Sequence, residues 1–99
     1  MQLRTIAHAR TGDKGNIVTI SLIAYRDEDF SLLEEKVTEE LVTSHFSSFI
    51  DQPVKRYSIP HLAALNFVLH RPATQGVTRS LALDAHGKCL GYLLLGLEL

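Results

Sequence analysis

The apolar positions of the chain change period along its length, and those changes divide it into strands and helices. Leu3 to Ala9 alternates loosely, with Ile6 and His8 toward one face, and predicts a first strand. Ile17 to Tyr25 is dense in β-branched residues and predicts a second strand, buried over most of its length. Between them, Arg10-Thr-Gly-Asp-Lys-Gly-Asn16 sets glycines on both sides of Asp-Lys, which predicts a loop joining the two strands as an antiparallel pair. From Arg26 onward the period lengthens. Asp27 and Asp29 suit the first turn of a helix, predicted over about 29–36, with Phe30, Leu33 and Val37 on one side. Thr38 is the predicted N-cap of a further helical stretch whose Leu41, Val42, His45, Phe46 and Phe49 share a face. The pattern leaves open whether these stretches form one bent helix or two.

Pro53 to Ile59 and Leu65 to His70 predict a third and a fourth strand. Val77 to Leu83, alternating outward from Gly76, predicts a fifth, followed by a turn over 84–87 in which Gly87 takes positive φ. In the segment 88–98, Leu90, Leu93, Leu94 and Leu97 match helical spacing, so a helix is preferred there to a buried strand. The sum is an α+β domain: an open, mainly antiparallel sheet with helices on one face, a two-layer sandwich.

Composition narrows the class. A chain of 99 residues with 45% hydrophobic and 21% charged residues has the makings of one globular domain, 1–99. Its net charge of -1 comes without any Lys/Arg run that would track phosphates, which argues against nucleic-acid binding. Cys89, the single cysteine, cannot form a disulfide within the chain and suits a reducing compartment. The start, MQLRTIAHAR, has no apolar run followed by a cleavage site, and Tyr92 to Leu97 is too short to span a bilayer. A cytoplasmic protein is expected, with no membrane contact. The leucine-rich tail and the phenylalanines of the helical region exceed what a small core needs, so exposed apolar surface and a homo- or hetero-oligomer are expected.

The segment from Arg10 to Asn16 carries the most suggestive chemistry. Gly12 and Gly15 would let backbone amides converge on an anion, Arg10 and Lys14 would add a planar fork and a point charge, and Asp13 could orient either cation. The plainer alternative is a solvated connection whose glycines serve geometry alone. The spacing is not that of a P-loop. His8 stands next to this segment and would need an orienting acid to act as a base, with Asp13 the nearest, unless it is merely a hydrogen-bonded strand residue. Asn66 is polar within an apolar strand and must hydrogen-bond locally or to a partner. Thr78 and Arg79 could supply a second anion contact. His8, His45, His61, His70 and His86 show no metal-ligand spacing, so no metal or other cofactor is expected.

Several of these blocks together resemble a known family. Ile6-Ala-His-Ala-Arg-Thr-Gly-Asp-Lys-Gly-Asn16, Arg56-Tyr57 with Pro60, Leu65-Asn-Phe-Val-Leu69, and Gly76-Val-Thr-Arg-Ser-Leu81 with Leu83-Asp84 and Gly87-Lys88 are similar to the AtuA-like ferredoxin-fold domain. That domain resembles the C-terminal region of proteins of acyclic terpene utilisation and also exists as a short separate chain. The resemblance implies a ferredoxin-like fold and a large AtuA-type partner chain. It further implies a setting in the catabolism of branched or acyclic acyl-CoA or carboxylate compounds, as one subunit of a two-component enzyme of hydratase or lyase type. It assigns no catalytic residue. It suggests that Arg10, Gly12, Asp13, Lys14, Gly15 and Asn16, with Thr78 and Arg79, face a shared site, supported by His8 and Asn66. A module for assembly alone, with no ligand of its own, is the alternative. One cysteine excludes a bound iron–sulfur cluster despite the fold's name.

Overall fold

The computed structural model describes residues 1–72 and 88–99. Four strands, β1 (Ala7–Lys14), β2 (Ile17–Ala24), β3 (Lys55–Ile59) and β4 (Ala64–His70), form one antiparallel sheet in the order β1-β2-β4-β3. The described α-helices are α1 (Phe30–Lys36), α2 (Glu39–His45) and α3 (Lys88–Leu95), and the α+β class holds. The expected fifth strand and its turn, 77–87, lie outside the described residues.

The core lies between the sheet and the helices. Val18, Ile20 and Leu22 of β2 and Leu65, Phe67 and Leu69 of β4 alternate into it and are fully buried. Leu33, Val37, Val42 and Phe46 meet them from the helical side, and Leu90 and Leu94 from α3. The leucine tail is therefore used by the core: Leu90, Leu94 and Leu97 are buried, while Tyr92 and Leu93 are exposed. The tail is thus divided between the core and the surface. The segment 88–95 is a helix, as its spacing predicted.

Two separate helices occupy 30–45 because Val37 leaves the helical region, at φ -94° and ψ 77°. Thr38 is extended, and its hydroxyl accepts a hydrogen bond from the Leu41 amide at 3.1 Å, starting α2 as an N-cap does. Arg56 then locks the junction, its Nη1 donating to the carbonyls of Glu34 and Val37 at 2.8 Å each. Residues 3–5, expected to open a strand, form a 3-10 turn instead, with Leu3 buried. The Leu3 amide donates to the Leu97 carbonyl and the Leu99 amide to the Met1 carbonyl, so the two end segments lie side by side.

Candidate functional site

The segment expected as a glycine-rich loop is mostly strand. β1 runs to Lys14, which pairs with Ile17, and only Gly15 and Asn16 form the connection. Gly15 takes φ 62°, the positive value required at the first central position of such a two-residue turn. Gly12 is extended and paired with Thr19, so the backbone amides here serve a ladder and do not converge on an anion.

What the strand does instead is sort its side chains by face. The register puts Ala7, Ala9, Thr11 and Asp13 over the buried residues of β2, and His8, Arg10, Gly12 and Lys14 on the opposite face. None of the described helices packs on that opposite face. Across it the register aligns Arg10 with Ser21, Ser21 with Asn66, and Asn66 with Tyr57, a polar row crossing all four strands. The Ser21 hydroxyl donates to Asn66 Oδ1 at 3.4 Å, which gives the polar residue of β4 a local partner. His8 stacks on Tyr25, ring centroids 5.2 Å apart, and Lys55 adds a third cation from β3. No carboxylate belongs to the strand positions facing this way.

Asp13 is on the other side. Its Oδ2 lies 3.9 Å from Nη2 of Arg71, which also donates to the Gly15 carbonyl at 2.8 Å. The Arg71 amide donates to the Asn16 carbonyl at 2.7 Å. Asp13, Gly15 and Asn16 thus belong to a clamp between the hairpin tip and the end of β4, and Asp13 orients neither Arg10, Lys14 nor His8. Ser21, Thr19, Tyr57 and Arg71 were missed from the sequence. Carrying the alternation of β1 through to Lys14 would have found Ser21 and Thr19 by pairing. Thr78 and Arg79 lie outside the described residues.

The face is shallow. Gly12, Asp13, Lys14, Ile17 and Thr19 line an open depression of about 240 Å³, below the size that encloses a drug-sized ligand. Arg10 and Lys14 are both solvent-exposed. Among the described residues no group of His, Cys, Asp and Glu comes together that could hold a metal ion, and no helix is long and apolar enough to cross a membrane. A family model described as the AtuA ferredoxin-like domain matches residues 1–99. No curated protein and no solved structure matches the chain.

Proposed function

Since the chain belongs to the AtuA ferredoxin-like domain family, we propose that it is an accessory subunit of a large AtuA-type chain acting on branched or acyclic acyl-CoA or carboxylate compounds. Its uncovered sheet face closes one side of a shared site. Arg10 holds the carboxylate or a phosphate of the ligand, Ser21 and Asn66 extend the polar row, and Lys14 adds positive potential. The observation that supports this reading is that the register sets His8, Arg10, Lys14 and Asn66 on one face of the sheet, whose depression is too shallow to enclose a ligand alone. A second surface is needed to exclude water, and the partner chain supplies it.

The test is co-expression with the large chain and titration of the purified complex with acyl-CoA thioesters and short branched carboxylates. An Arg10 fork on an anion contributes about 1.5–3 kcal/mol, so Arg10→Ala weakens binding or activity by about tenfold or more with the melting temperature unchanged. Unchanged affinity for every ligand that the wild-type complex binds would sink the anion role.

A further inference from the structure

We infer that the stacked rings of His8 and Tyr25, together with Arg10, form a subsite for a nucleoside phosphate, with the base on the ring pair and the phosphate at the Arg10 guanidinium. The inference rests on the ligand half of the reading above. Of the ligand classes named there it selects acyl-CoA, whose nucleotide end carries phosphate on its ribose.

The register sets the three side chains in series. His8 lies opposite Ile23 and Arg10 opposite Ser21, while the Tyr25 amide donates to the Ile6 carbonyl at 2.9 Å. Tyr25, His8 and Arg10 therefore follow one another along the outer face in steps of two residues, each about 7 Å. The rings of His8 and Tyr25 stand 25° from parallel with centroids 5.2 Å apart, an offset stack. Packing on His8 does not bury Tyr25, which stays 61% exposed. An exposed ring held in place by a second ring is a stacking surface already ordered, so a base settling on it freezes little additional side-chain motion. The pair sits at the end of β2 away from Ile17, the residue that pairs with His70 where β4 ends.

Arg10 decides the kind of ligand. It is exposed and one step beyond His8, and its extended side chain is about as long as that step. Its guanidinium thus comes within reach of a phosphate carried on the sugar of a stacked base, an anion that its planar fork suits. A free base has nothing for the cation, and inorganic phosphate has nothing for the rings. Ser21 and Asn66, beside Arg10 in the polar row, offer a hydroxyl and an amide to the ribose hydroxyls. A cross-strand ring pair also steadies the register, but that role needs neither an exposed Tyr25 nor a cation one step away.

NMR of the Tyr25 and His8 ring protons at fixed pH tests this on the chain alone, since all three side chains belong to it, with adenosine monophosphate as the probe. The ring signals move upfield and saturate in the millimolar range, and ribose phosphate at the same concentrations leaves them in place. Tyr25→Leu weakens binding about tenfold, and Tyr25→Phe, which keeps the ring, stays within about twofold of wild type. Arg10→Ala weakens the nucleotide about tenfold and leaves adenosine, which has no phosphate, unaffected. Ring signals that ignore the nucleotide, or answer ribose phosphate equally, overturn the inference without recourse to any variant. A Tyr25→Leu chain that binds as wild type does overturns it too. If the complex with the large chain then still binds branched carboxylates through Arg10, the reading above stands and its ligand is a carboxylate. Binding by the chain alone upholds the subsite even where no complex forms, and the partner half of that reading is what falls.

Discussion

The two edges of the sheet are finished in opposite ways. Along β3 the Arg56 amide, directed away from β4, donates to the Glu39 carboxylate at 2.8 Å, and the Ser58 hydroxyl donates to Glu34 Oε2 at 2.6 Å. The side chain of Arg56 ties the same edge to the end of α1. Along β1 no described group does anything comparable, although β1 has eight residues to the five of β3. An unpaired edge invites association, and proteins usually cover it or charge it. Here the helical segment covers the short edge, and among the described residues nothing covers the long one. Within the described residues the helical segment finishes one edge of the sheet, while α3 packs beside the other on its inner face.

The strongest way to break the contrast is to remove the guanidinium of Arg56. Its two charge-assisted bonds to the carbonyls of Glu34 and Val37 hold the helical segment onto β3, and Arg56→Ala is expected to cost about 3 kcal/mol, read from the urea midpoint. A loss well under 1 kcal/mol would mean that the edge is closed without it. Next is Glu39→Ala, expected to cost about 1–2 kcal/mol and to speed exchange of the Arg56 amide, which then has lost its acceptor. Glu39→Gln keeps an acceptor and should lie between the two. An Arg56 amide that stays equally protected in Glu39→Ala would show that another group covers it.

The smallest effect belongs to the β1 side. Gly91→Ala gains helix propensity of about 1 kcal/mol but places a methyl 3.0 Å from Thr11 Cγ2. Overpacking of that kind costs about 1–3 kcal/mol, so the net loss is about 0–2 kcal/mol. Thr11→Ser removes the offending Cγ2 and should restore the double variant to at least wild-type stability. Failure of that rescue would place the strain elsewhere in α3.

The β-branched density of Ile17 to Tyr25 made β2 legible, while the structure buries only every second residue of it, Val18, Ile20, Leu22 and Ala24. The N-cap at Thr38 was legible for a local reason, its hydroxyl meeting the Leu41 amide within one turn. The extent of β1 was not. Gly12, Asp13 and Gly15 are turn formers by propensity, yet pairing with Ile17 to Ile20 carries the strand through Gly12 and Asp13, a case of tertiary context overriding local preference. The same oversight hid the sorting of Arg10 and Lys14 from Asp13, since a loop has no faces. The role of Arg71 was not legible either, because its clamp on Gly15 and Asn16 joins residues distant in sequence. Family membership and the ferredoxin-like class followed from the quoted motifs, which the match over 1–99 supports.

The pairing of β2 with β4 also bears on how quickly the molecule can assemble. β1 with β2 and β3 with β4 are hairpins whose halves adjoin in sequence, so each closes over a few residues. The seam between them sets Ile20 against Phe67 and Ile23 against Ala64, enclosing a loop on the order of forty residues. Both hairpins can form and dissolve many times before that seam closes. Only its closure brings Ile20 and Phe67, both fully buried, into one core. The sequence separation across this one junction makes it the slow coordinate of folding, and a chain with the seam still open exposes the apolar faces of two hairpins at once.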